Sequence, residues 1–208
     1  MLRNLLVLVV ALSAGGCAFG VKHDYSASPD VSISSKNSVA VGVHDQRPYV
    51  VSANKTETFV GLSRGGYGNT FDVNTASDKP LADDFRATVV EAFKRSGVSV
   101  KDVSLKPGQK PSDALQALIT VGQQRSLLLT LREWKSDTYM NTSLIYNVHL
   151  AVLDASGKAI AEKTLQGTDD LGGNAFNPPG HAKAAVPPAY KKKIEELLSS
   201  PEIKRGLQ

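Results

Sequence analysis

The feature that most restricts the fold is a set of long alternating runs in the second half of the chain. Thr142 to Asp154 puts Leu144, Tyr146, Val148, Leu150 and Val152 on one face and Asn147 and His149 on the other. A period of two is the pattern of a half-buried strand. Asp154-Ala-Ser-Gly157 reads as a turn, from which Lys158 to Gly167 returns antiparallel. Upstream, Ser126 to Lys135 alternates as well, with Leu127, Leu129 and Leu131 opposite Leu128, Thr130, Arg132 and Trp134.

Other elements add to this sheet. Ser38 to Val43 is β-branched and reads as a first strand, ending at His44-Asp45-Gln46-Arg47-Pro48, where proline stops ladder pairing. Tyr49 to Ser77 is polar and glycine-rich, with short extended pieces at Thr58 to Val60 and Phe71 to Val73. Lys79-Pro80 opens the clearest helix, capped by Asp78 or Lys79. Leu81, Phe85, Val89 and Phe93 recur every four residues along it, and Gly97 closes it. Val98 to Val103 reads as a second short strand, and Ser112 to Val121 as a brief helix with Leu115, Leu118 and Ile119 inward. After Pro178-Pro179 and Pro187-Pro188 comes a helix on which Val186, Tyr190, Ile194 and Leu197 share a face; His181 falls in the proline-rich loop before it. The simplest packing of this order is an α+β domain: a mostly antiparallel four- to five-stranded sheet with two main helices on one face.

The start of the chain speaks to location. Arg3 precedes an apolar run from Leu5 to Leu12, too short to span a bilayer, and then come Ser13-Ala14-Gly15-Gly16 and Cys17. These are the parts of a secretory signal. Ala14-Gly15-Gly16-Cys17 resembles the lipobox of bacterial lipoproteins, with Ala14 where a large aliphatic is usual. The resemblance implies cleavage before Cys17, acylation of its thiol, and, since Ala18 rather than aspartate follows, sorting to the outer membrane. The expected organisation is a signal over 1–16, the lipidated cysteine and a flexible tether over 17–37, and one periplasmic domain over 38–208. Cys17 is the only cysteine, so acylation leaves no thiol for a disulfide, a nucleophile or a metal. The net charge of +4 drops to +3 when Arg3 leaves with the signal. That charge is dispersed, unlike the concentrated stripe of a nucleic-acid binder.

Chemistry-bearing motifs are sparse. Gly61-Leu-Ser-Arg-Gly-Gly-Tyr-Gly-Asn-Thr-Phe71 has the glycine spacing of a phosphate loop, but Tyr67 and Gly68 stand where lysine and a hydroxyl are needed, and no helix follows at once. Its glycines are expected to shape a loop or bulge. His23, His44, His149 and His181 are scattered and lack metal-ligand spacing, and no Gly-x-Ser-x-Gly elbow occurs. Lys191-Lys192-Lys193 lies four residues before Glu195 and Glu196, as in ordinary pairing along a helix face. Trp134 and Arg132 share a strand face with Leu128 that is the expected partner surface where nothing covers it, the alternative being that the Tyr49 to Ser77 connection packs over it; Arg64 and Tyr67 of the glycine-rich stretch are further candidates. No catalytic residue, metal ligand or cofactor is expected.

Taken together, the lipobox, the strand ending in Asp45-Gln46-Arg47, the helix closing at Gly97, the Tyr146 to Leu153 strand and the C-terminal helix ending near Ile203 resemble the YajG-like family of bacterial lipoproteins. That resemblance implies an uncharacterised envelope lipoprotein with no catalytic residues to carry over. The expectation is a membrane-anchored, non-catalytic periplasmic domain with a binding, accessory or structural role, and an envelope protein as partner. The alternative is a carrier of a small ligand or lipid in a groove between sheet and helices.

Overall fold

The structure, a computed structural model, describes residues 20–208; Cys17 and the signal before it lie outside the described residues. Its centre is one long strand, β6 (Arg125–Thr138). Along one edge β6 pairs antiparallel with β7 (Asn141–Asp154), which pairs antiparallel with β8 (Ala159–Gly173). This is the antiparallel trio read from the alternating runs, and each strand is longer than its run.

The other edge of β6 is divided. Its first half pairs in parallel with β2 (Val39–Asp45), from Val39 opposite Arg125 to Asp45 opposite Leu131. Its last residues pair in parallel with β3 (Phe59–Arg64), Gly61 opposite Ser136 and Ser63 opposite Thr138. Outside β2 lies β5 (Val100–Val103), also parallel; outside β3 lies β4 (Thr70–Thr75), antiparallel, and then β1 (Lys22–His23), parallel to β4. The sheet is therefore eight-stranded and mixed, rather than a four- to five-stranded antiparallel one. Alternation reveals which residues face inward but not the direction of a neighbour. The parallel pairs depend on long crossovers, such as the stretch from Val103 to Arg125, which holds α3 (Pro111–Thr120).

Two helices cover one face, as the spacing predicts. Leu81, Phe85, Val89 and Phe93 of α2 (Leu81–Arg95) and Val186, Tyr190, Ile194 and Leu197 of α4 (Pro178–Ser199) join Leu127, Leu129, Leu131 and Trp134 in one core. A short α5 (Pro201–Leu207) adds Ile203 and Leu207. By contrast, α3 sits on the opposite face, where Ala114 and Leu118 meet Ala40, Val103 and Leu105. Helix α2 starts after Pro80 without a side-chain cap, and Gly97 takes the left-handed conformation that ends it. Helix α4 begins a full two turns before the expected start. Asn177 caps it by accepting from the Gly180 amide, and Pro187 and Pro188 lie inside it. His181 is thus helical, not in a loop.

The segment expected as a tether is packed from Lys22 onward. β1 joins the sheet edge, Tyr25 is buried among the core aromatics, and Ile33 is buried as well. Its Ser, Asp and Pro content hid two apolar anchors in a polar run.

The glycine-rich stretch forms the β3–β4 hairpin. Gly61, opposite Val73, follows a register shift after Phe59, and Gly68 has φ +81° in the tip. At Gly61 a Cβ would stand 2.2 Å from Ser136 Oγ, whereas at Gly66 it would meet nothing. Gly61→Ala is therefore expected to lower unfolding free energy by about 1–3 kcal/mol in urea titration, and Gly66→Ala to leave it within about 0.5 kcal/mol.

Candidate interaction surface

Where β6 passes from β2 to β3, its edge is left without a strand partner, and the sequence fills the gap with Arg47. The Arg47 side chain is completely buried. Asp45 accepts from its Nε at 2.9 Å and its second guanidinium nitrogen at 2.7 Å. The remaining N–H groups donate to the carbonyls of Phe59 (2.5 Å), Glu57 (3.2 Å) and Trp134 (3.4 Å). Tyr49, in the short helix α1 (Pro48–Val51), donates from its hydroxyl to Glu133 at 2.6 Å and lies 3.1 Å from the Trp134 carbonyl. Asp-Gln-Arg is thus a structural clasp for the divided edge.

A second buried polar pair has a chemical look. His23 Nε2 is 3.1 Å from Ser136 Oγ, and both residues are 0% exposed. Burial lowers the His23 pKa to about 4, so the ring is neutral at pH 7. Such a dyad could in principle activate the hydroxyl. Here Gly61 backs directly onto Ser136, and even a methyl group there would overlap it. No substrate atom can approach, and the pair serves to tie β1 to β6.

The expected partner surface is redistributed. Trp134 is 0% exposed, donates from its indole nitrogen to Tyr25 Oη at 3.1 Å, and packs edge-on against Phe85 and Tyr190. Simple alternation puts it with Leu128, on the face opposite Leu127, Leu129 and Leu131. A register shift between Leu131 and Glu133 inserts one residue and brings Trp134 to the core side. Arg132, at that bulge, remains exposed. Arg64 is engaged within the domain, its guanidinium bidentate to Asp137 at 2.9 and 2.6 Å. Tyr67 stands fully exposed, at 103%, on the hairpin tip. In the lysine run, Lys191 is 3.6 Å from Glu195, the helix-face pair read from sequence. Lys193 turns inward to Asp169 (2.9 Å) and the Tyr146 hydroxyl (2.8 Å).

Grooves among the described residues are shallow. One of about 490 Å³ is lined by Arg125, Glu162, Glu202 and Arg205; another, about 240 Å³, runs between Tyr25–Ser28 and the α2 residues Asp84, Thr88 and Glu91. The space between sheet and helices that a carrier would use is filled by Tyr25, Phe85, Trp134 and Tyr190. No three metal-ligating side chains converge among the described residues.

What sequence reasoning passed over is a collection of apolar side chains at one end of the sheet. The β6–β7 turn carries Tyr139 (46% exposed) and Met140 (55%), and Phe176 (100%) lies in the connection from β8 to α4. Thr138 pairs with Thr142, Asn141 with Gly173, and the Asn174 amide donates to the Met140 carbonyl at 3.1 Å. Ser63 pairs with Thr138, so the hairpin tip with Tyr67 projects past the same end. The other exposed large hydrophobics among the described residues are Val51, in the short helix after β2, and Ile160, which lines the groove beside Arg125. The four residues come from three separate loops, so no periodic pattern marks them.

No family model matches this chain, and no curated protein does; the YajG-like features of the sequence stand as a resemblance. Solved structures do match. A Xanthomonas campestris protein of the DUF330 family aligns over 88% of this chain and 95% of its own, with a TM-score of 0.58 at 14% identity, and shows the same overall fold. The PelC dodecamer of Paraburkholderia phytofirmans (TM-score 0.41, 14% identity, 83% and 91% covered) and lipoprotein GNA1162 of Neisseria meningitidis (0.30, 14%, 76% and 98%) are more distant and carry no argument for this chain.

Because the unfolded chain protonates His23 near pH 6.5 and the folded one only near 4, the unfolded state binds more protons between those values. Stability is expected to fall by about 3 kcal/mol as pH drops from 6.5 to 4. Chemical denaturation across this range checks it, and His23→Gln should remove most of the slope.

Proposed function

We propose that this chain is an outer-membrane lipoprotein, anchored through acylated Cys17, whose periplasmic domain acts by binding or as an accessory part of the envelope rather than by catalysis. The observation that carries the reading is the arrangement around Cys17. An apolar run and small residues precede it, and the folded domain is already tied to its sheet at Lys22, five positions later. Several acyl chains on one cysteine hold a protein to a bilayer essentially permanently. With so short a lead, the domain sits against the membrane rather than standing off it.

A non-catalytic role accords with the site chemistry. The one His–Ser pair has no room for a substrate, the charged grooves are open, and the interior is packed with aromatic rings. The partner, on this reading, is another envelope component, met through surfaces that include Arg132.

The test is Cys17→Ala in the full chain, followed by membrane fractionation. The unaltered protein is expected in the membrane fraction with an acyl-bearing N-terminal peptide by mass spectrometry. The variant is expected to lose the acyl groups and to keep its signal uncleaved, and an unaltered protein found without acyl groups at Cys17 would contradict the anchor.

A further inference from the structure

The four exposed apolar tips and the start of the folded chain lie at the same end of the molecule, and we propose that this end is seated in the bilayer interface. The surface is formed by Tyr67, Tyr139, Met140 and Phe176, and its occupant is the headgroup and upper acyl region of the membrane that holds Cys17. The inference rests on the lipid-anchor reading above and extends it from one point of attachment to an oriented face.

The strand directions carry the argument. β4 runs from Thr70, next to the hairpin tip, away to Thr75. β1 is parallel to it, with Lys22 opposite Asn74 and His23 opposite Thr75, and the Asn74 amide donates to the Val21 carbonyl. Traced backward from Lys22, the chain therefore heads toward the hairpin tip, and Gly20 is the first described residue on that course. Gly20 is three positions on from Cys17, a span of at most about 10 Å. An acyl anchor so close to this end brings the bilayer to it. The other end of β6 lies about 40 Å away, where Arg125 donates to the Gly206 carbonyl near the C-terminus.

The chemistry of the end suits a membrane interface. The three connections over 65–69, 139–140 and 174–177 contain no Asp, Glu, Lys or Arg; of the charges bordering them, Arg64 and Asp137 neutralise each other, and Asp170, opposite Ser143, accepts from the Gly172 amide. Tyrosine and phenylalanine set among Asn, Gly and Thr resemble the aromatic belts that occupy the headgroup level, where a ring meets apolar chains and its polar neighbours stay wet. Four of the six exposed large hydrophobic side chains among the described residues gather here. A soluble domain normally scatters such residues, and their collection marks a contact surface.

Since Cys17 is the only cysteine and acylation consumes its thiol, a cysteine introduced elsewhere is the single reactive site. The full acylated chain carrying Tyr67→Cys, Met140→Cys or Phe176→Cys would bear a nitroxide label and be reconstituted in phosphatidylethanolamine–phosphatidylglycerol vesicles. Ala155→Cys, in the exposed β7–β8 turn at the far end, is the reference. Labels at 67, 140 and 176 are expected to collide more with oxygen, which concentrates in the bilayer, than with a water-soluble nickel chelate; at 155 the order should reverse. Water-like collisions at all four positions in a chain whose Cys17 is acylated by mass would overturn the seated end and leave the anchor standing. Labels shielded from both reagents would put a protein there instead, and also overturn it. A chain found without acyl groups would sink both the anchor and this inference. All three substitutions replace exposed side chains, and a melting temperature matching the parent verifies the fold.

Discussion

A buried guanidinium holds the two halves of this sheet together. β6 spends its first half beside β2 and its end beside β3, and between those stretches the strand edge has polar backbone with no neighbouring strand. Buried backbone groups left without partners cost free energy comparable to a lost hydrogen bond. Arg47 answers this with donors in a planar fork, which reach the carbonyls of Phe59, Glu57 and Trp134 while Asp45 balances the charge. Lysine could not replace it, since a point-like ammonium cannot serve Asp45 and carbonyls on β3 and β6 in that geometry.

The consequences extend outward from this junction. Because the chain leaves β2 at Asp45, turns through Arg47 and re-enters beside β6 as β3, the β3–β4 hairpin is laid along the distal part of β6. Its tip thereby arrives level with the β6–β7 turn. β1 then adds to the hairpin's outer strand, which fixes the direction from which the N-terminus approaches. The bulge after Leu131 works in the same region. It returns Trp134 to the core, where Tyr25, Phe85 and Tyr190 close around it, and so couples the N-terminal segment, both main helices and the central strand.

Much of this was legible from residue pattern. The trio β6–β7–β8, the helix on Leu81, Phe85, Val89 and Phe93, and the polar outer face with Asn147 and His149 follow from periodicity, because one buried face imposes it. Three things did not. Strand direction is invisible to alternation, which therefore does not reveal the parallel partners of β6. A one-residue bulge reverses every inference beyond it, so alternation alone puts Trp134 on the face away from the core. Burial of Tyr25 and Ile33 depends on tertiary contacts that their polar neighbours conceal. The candidate surface fared similarly: Tyr67 is exposed as a glycine-rich tip suggests, but its companions Tyr139, Met140 and Phe176 come from loops brought together only by strand register.

Native-state hydrogen exchange of an Arg47→Met variant tests the role of this junction most directly. Removing the guanidinium leaves Asp45 buried without its counter-charge, a change typically worth about 3–5 kcal/mol, and frees the hairpin from its clasp. The expected result is a joint loss of protection over 59–75 that exceeds any loss over β7 and β8. Unchanged protection in the hairpin, or an equal loss across the whole sheet, would contradict the account.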